Sequence, residues 1–178
     1  MAAEKGILNA DQKRKILLVL RILVLTAAVI YLVFFVINNF SADDNKFSVY
    51  FSNSDATFLE AEKREINEEE DIYLQLFKEL KAGPETNKLR PSIPEGSSLL
   101  DYKIEDKTII LNFNEELRVN HWGGSTGETM TVYSIVNTYT SLKEIEKVKI
   151  LLEEKEIETL VGHLDLTGPL MYNQKLVE

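Results

Sequence analysis

The chain has 178 residues, with 20 basic and 29 acidic side chains and a net charge of −9, a balance that argues against nucleic acid as a partner. The charge is divided unevenly: residues 1–40 carry five basic and two acidic side chains (net +3), and residues 41–178 carry 15 and 27 (net −12). The absence of cysteine excludes disulfides, thiolate zinc sites and lipid attachment through a cysteine.

Residues 1–15 form a polar head containing Lys5, Lys13, Arg14 and Lys15. An apolar run follows over 16–37, 22 residues with Arg21 as its one charge. As a helix it is about 33 Å long, enough to span a hydrocarbon core of about 30 Å. Basic residues before the run, and Asn38, Asn39, Asp43 and Asp44 after it, predict a cytoplasmic N-terminus and an extracytoplasmic body. The run is longer than the apolar region of a signal peptide. Phe40 is bulky where a cleavage site needs a small side chain, so an uncleaved transmembrane anchor is expected. Arg21 sits one turn inside the run and is expected to snorkel to the cytoplasmic headgroups; intramembrane pairing is the alternative.

Residues 38–46 read as a short polar tether. Phe47, Val49 and Phe51 alternate as a strand, Ser52–Asp55 holds a turn, and 57–66 suggests a second strand. The acids of Asn67-Glu68-Glu69-Glu70-Asp71 look like a metal cluster. The competing reading is a helix start, with Asn67 as cap and Glu70 completing a capping box. Ile72, Leu76 and Leu80, with Tyr73 and Phe77 beside them, then form one apolar helical stripe. Gly83 can end this helix and Pro84 forbids its continuation. The stretch 84–98 is a loop with Pro84, Pro91, Pro94 and Gly96. Leu100, Tyr102 and Ile104 alternate, as do Ile109, Leu111 and Phe113, predicting a hairpin turning at Glu105-Asp106-Lys107.

Residues 114–122 read as an irregular connection. His121-Trp122-Gly123-Gly124 leads into Ser125-Thr126-Gly127-Glu128. This stretch lacks the Lys-Ser/Thr of a phosphate-binding loop, and it reads instead as a lead-in with Ser125 and Glu128 as a capping box. Its exposed aromatic pair makes His121, Trp122, Gly123 and Gly124 a candidate interaction loop, set against simple hinge packing. A helix over 126–139 presents Val132, Val136 and Tyr139. A second hairpin is expected from Val148, Ile150 and Leu152, then Ile157, Thr159 and Val161. His163 and Asp165 invite a catalytic dyad, but no motif places a nucleophile, and they read as turn residues.

These elements predict an α+β fold: one small domain with two helices packed on an antiparallel or mixed sheet, behind one transmembrane helix. One sheet face can stay open to solvent or to another protomer.

Several stretches together resemble the GerMN domain family. They are Val49-Tyr50-Phe51; Leu76 through Pro84; Leu89 with Ile93-Pro94-Glu95-Gly96-Ser97; the hairpin 99–113; the helix 132–139 with Thr140-Ser141; and Val148-Lys149-Ile150. Gly83, Pro84, Ile93, Pro94 and Gly96 are the structural motif, and the resemblance spans about 47–170, leaving 171–178 as a tail. It implies a non-catalytic, extracytoplasmic domain without cofactor or metal, linked to sporulation and germination. Its fold is expected to be similar to ring-building motifs. The implied partners are the membrane and envelope proteins, with self-association possible. Competing functions are a cell-wall glycan or small-ligand binding module using residues 121–128, and an envelope hydrolase using His163.

Overall fold

The structure, a computed structural model, describes residues 9–178 and, within them, the side chains outside 36–44. Lys5 and the side chains of Asn38, Asn39, Asp43 and Asp44, on which part of the charge asymmetry rests, lie outside what is described. The chain divides into two compact units, Met1–Asn45 and Lys46–Glu178.

In the first unit, helix α1 (Ala10–Asp44) opens on a capping box: Asn9 Oδ1 accepts from the Gln12 N–H at 2.8 Å, and the Asn9 N–H donates to Gln12 Oε1 at 3.1 Å. Its stretch Ala10–Phe35 is 26 residues with none buried, long and apolar enough to cross a membrane. The helix continues beyond Ile37, and strand β1 (Lys46–Asn53) begins two residues after it ends. Residues 38–44 are thus helical where the polar composition suggested an irregular tether. No Pro or Gly interrupts them, and extending an existing helix is far easier than starting one.

The second unit is built on two sheets. In the first, β1 lies between β2 (Leu59–Glu65) and the two-residue β3 (Leu89–Arg90), antiparallel to both. β3 lies inside the predicted loop and is too short to show as alternation. In the second sheet, β4 (Leu99–Glu105) and β5 (Thr108–Phe113) form the expected hairpin, with Asp106 and Lys107 at φ of 45° and 61° in a two-residue turn. β6 (Lys147–Leu152) pairs parallel to β5, and β7 (Lys155–Glu156) and β8 (Leu170–Met171) both pair antiparallel to β6.

Helix α2 (Ile72–Ala82) starts at Asp71, not at Asn67: Asp71 Oδ1 accepts the N–H groups of Tyr73 and Leu74 at 2.9 and 3.2 Å. Asn67 instead shapes the preceding turn, its Oδ1 accepting from the Glu69 N–H. Leu76, Phe77 and Leu80 are buried as the stripe required. Arg64 of β2, nearly buried, bonds Glu62 at 2.6 Å, Glu79 at 3.2 Å and the Gly83 carbonyl at 3.4 Å. It thereby places a cation at the end of α2, where the carbonyl dipoles favour one. Gly83 follows at φ 87° and ψ 179°, so the helix ends on a positive-φ glycine in an extended rather than an αL conformation.

The Ile-Pro-Glu-Gly-Ser motif is a turn, with the Ser97 N–H donating to the Pro94 carbonyl at 3.2 Å. Gly96 sits at φ 80°, and a Cβ there would come within 3.2 Å of Asn120 Nδ2. Asn120 closes the short helix α3 (Glu116–Val119) and donates to the Glu95 carbonyl at 2.8 Å. The motif is therefore glycine-dependent for conformation and for space.

Helix α4 (Ser125–Tyr139) makes the crossover that the parallel β5–β6 pair demands. It packs against β1, α2, β6 and β8 and is buried nearly all round. Three of its side chains bond distant segments: Thr138 Oγ1 accepts from the Tyr50 N–H at 3.0 Å, Thr131 donates to the Ser92 carbonyl at 2.8 Å, and Tyr139 donates to the Tyr73 carbonyl at 2.8 Å. The Ser52 N–H donates to Ser92 Oγ, and Ser141 Oγ donates to the Ser48 carbonyl. Side chains thus complete the edge of β1 that β3 is too short to cover.

Residues 171–178 are bonded into the domain. Asn173 exchanges two hydrogen bonds with Asn137, Val177 bridges to Leu59, and the Glu178 N–H donates to the Leu59 carbonyl. Tyr172, Leu176 and Val177 cover a second apolar cluster of Tyr50, Leu59 and Met130.

Candidate functional site

Gly123 and Gly124 both take positive φ, 79° and 78°, a turn that brings the chain onto the start of α4. Gly124 is the N-cap, with no side-chain cap, and Ser125 is the first helical residue. The expected Ser125–Glu128 capping box therefore does not form. Glu128 turns into the protein and is fully buried. Its carboxylate accepts the N–H groups of Leu160 (2.8 Å), Val161 (2.9 Å) and His163 (2.8 Å), and it meets His163 Nδ1 at 3.2 Å. Burial alone raises its pKa, but the converging backbone N–H groups hold it below the usual carboxylate range.

This clamp overturns the second half of the predicted hairpin. Three N–H groups between 160 and 163 serve a carboxylate and are withheld from any strand ladder, so the pairing stops at Glu156. Leu160 is buried where Val161 was expected to be. His163 and Asp165 also part company: Asp165 accepts from the Thr167 N–H and hydroxyl at 2.9 and 2.6 Å. Of the acids at 68–71, Glu70 is paired to Lys78 at 3.0 Å and Asp71 caps α2. Among the described residues no three His, Asp or Glu side chains gather as a metal site.

The His121-Trp122 pair is ordered in detail. His121 Nδ1 accepts the Gly123 N–H at 2.9 Å, and its Nε2 lies 3.2 Å from Thr131 Oγ1. Because the Thr131 hydroxyl proton goes to the Ser92 carbonyl, its oxygen must accept, which makes His121 a neutral ring carrying its proton on Nε2. Burial pushes the His121 pKa down, in keeping with that state. The Trp122 ring stacks on His121 at 5.0 Å and 26°. It also lies against Gly127, where a Cβ would come within 2.8 Å of its Nε1. Trp122 as a whole is still 56% exposed. Beside it is an open cleft of about 410 Å³ lined by Trp122, Gly127, Met130, Pro91, Arg90 and Ala56, with Ser52 and Ser92 at its base.

The structure thus brings His121, Trp122, Gly123 and Gly124 together as one ordered loop. Gly83, Pro84, Ile93, Pro94 and Gly96 act in turns that seat α2 and α3, and Arg21 is an exposed residue of α1 in the other unit. Arg90 and Met130 escape a reading by motif because distant segments converge on the cleft. Only the glycine-rich lead-in marks the place in the sequence.

The Germane family, described as sporulation and spore germination, matches residues 48–158. Among solved structures the chain is similar to a Clostridium perfringens protein assigned as a lipoprotein, at 27% identity over 71% of this chain and 86% of that one, with a TM-score of 0.53. It is also similar to the tandem GerMN domains of the sporulation protein GerM from Bacillus subtilis, at 22% identity over 75% of this chain and 47% of that one, TM-score 0.61. The first GerMN domain of that protein matches at 19% identity over 73% of this chain and 98% of it, TM-score 0.60. No curated protein matches the chain.

Proposed function

The chain belongs to the Germane (GerMN) family of sporulation and spore germination domains, and from that premise we propose that it is a single-pass membrane protein whose GerMN domain acts outside the cytoplasm as a non-catalytic interaction module. Helix α1 is the observation that carries this reading: its residues 16–35 are apolar except for Arg21 and none is buried, whereas the second unit encloses a core of its own. Hydrocarbon is the solvent in which such a helix is stable. Basic residues at its start favour a cytoplasmic head. In this reading Arg21 snorkels to that side, and the domain meets envelope proteins, including copies of itself.

The cysteine-free sequence makes the topology directly testable. In intact cells, a membrane-impermeant maleimide should label Lys88→Cys, on the domain surface, and spare Ala3→Cys, in the head. The reverse pattern, or cleavage that releases the domain, overturns the anchor. Deletion in a spore-forming host, scored separately for spore yield and germination, should lower one of them. Normal values for both remove the sporulation role.

A further inference from the structure

We propose that the cleft beside Trp122 binds a sugar chain bearing a single carboxylate, a reading that rests on the domain facing the outer side of the membrane. The first argument is the state of the aromatic ring. Trp122 is more than half exposed yet fixed by His121, whose two nitrogens are held by Gly123 and Thr131. Gly127 leaves room for the Nε1–Cδ1 edge of the ring against the helix start. An apolar surface fixed in advance is what a pyranose stacks on, because no side chain then has to be ordered on binding. The cleft volume falls within the range of about 300–1,000 Å³ typical of small-ligand sites.

The second argument is charge. Residues 41–178 hold 27 carboxylates against 15 basic groups, and the other two arginines of the domain are engaged: Arg64 with Glu62 and Glu79, Arg118 with Glu115 and the Leu160 carbonyl. Arg90 lines the cleft, is exposed, and has no ion pair or side-chain hydrogen bond among the described residues. A planar guanidinium left unpaired on an acidic surface fits a carboxylate. One such cation neutralises one charge, and the net charge of −12 over residues 41–178 repels a polyphosphate chain. The third argument excludes an extended peptide. The nearby edge of β1 is already occupied, with Ser52 paired to Arg90 across the ladder and its N–H given to Ser92 Oγ, so no backbone ladder is open to an added strand here.

Trp122 is the sole tryptophan, so its emission reports the cleft directly. The full chain, in a zwitterionic detergent free of sugar groups, is titrated with three probes: N-acetylglucosamine oligomers, wall fragments containing N-acetylmuramic acid, and a short peptide with a free carboxyl terminus. The expected result is a saturable shift with the muramic acid fragments and binding at least tenfold weaker for the neutral oligomers. Arg90→Gln should erase that tenfold preference while leaving the neutral sugar unchanged. By calorimetry, Trp122→Ala should weaken both sugars more than tenfold. Trp122→Phe, which keeps a stacking ring, should retain most of the binding and guards against a folding defect. No saturable response, equal affinity for neutral and acidic sugars, or tighter binding of the peptide overturns the proposal. Each of these outcomes leaves the maleimide pattern and the spore phenotype standing, so the site and the membrane reading fail separately.

Discussion

Helices α1 and α4 both lack a clean apolar stripe, for opposite reasons. Over residues 16–35 helix α1 is apolar on every side except at Arg21 and buries none of it, whereas α4 is buried on nearly every side and carries Glu128, Thr131, Ser134, Asn137 and Thr138 among its buried residues. A one-sided stripe belongs to a helix at an interface with water. A helix without one is either in hydrocarbon, where side chains need no partners, or in a protein interior, where each polar group needs a specific one. All of these α4 residues but Ser134 meet that demand with long-range bonds; the apolar side chains of α1 need none.

The largest test removes the α4 partner that serves most donors. Glu128→Ala leaves the N–H groups of Leu160, Val161 and His163 without their acceptor, at about 1–3 kcal/mol each for buried groups. We expect a loss of roughly 3–6 kcal/mol in urea unfolding of the domain, a large part of a typical margin of about 5–15 kcal/mol. A loss below about 1 kcal/mol would mean that water replaces the carboxylate. The mirror experiment on α1 is Leu25→Asp, which should cost about 3 kcal/mol of membrane insertion with the domain's unfolding unchanged. Membrane fractionation and a melt of the same variant separate the two effects.

A smaller effect is expected at Thr138→Val, which keeps the shape but deprives the Tyr50 N–H of its acceptor. Chemical denaturation should show a loss of about 1–3 kcal/mol. Thr26→Val is its control in α1, because Thr26 bonds only the Leu23 carbonyl of its own helix, and the domain's unfolding should not move.

The Glu128 clamp also sets a pH dependence. Its pKa is held down in the folded state, so its contribution is complete above the unfolded value of about 4.3 and is lost as pH falls through the folded one. The stability gap between the native chain and Glu128→Gln should be constant near neutrality and narrow on acidification. Because Asp71 and Glu62 are also held down, the absolute stability of both proteins falls there, and the gap is the quantity to follow. A gap that widens toward acid reverses the assignment.

What the sequence made legible was local chemistry. Gly83-Pro84, the Ile93–Ser97 turn and the β4–β5 hairpin each show themselves in runs of adjacent residues, and they carried the recognition of the family, which the match over 48–158 supports. The α+β class with a mixed sheet was equally readable. Elements set by distant partners were not. Asn67 and Asp71 are both good caps, and they differ in distant partners: Asp71 accepts from the Tyr102 hydroxyl at 2.6 Å. Ser125 and Glu128 have the spacing of a capping box whether the glutamate reaches back three residues or forward more than thirty. The loop at 121–124 was visible as a candidate, but Arg90 and Met130 join it only through the fold.

The finest test of the comparison lies at Ser134, where α4 departs from its own rule. Its hydroxyl is buried and has no hydrogen-bond partner among the described residues, unlike Thr131, Asn137 and Thr138 on the same helix. Ser134→Ala deletes an unpaired polar atom and places the best helix former in a helix interior. Both terms have the same sign, so urea unfolding should show a gain of about 0.5–1 kcal/mol. A loss of similar size would mean that a buried water completes the hydroxyl, in which case every polar group of α4 is matched and the contrast with α1 holds without exception.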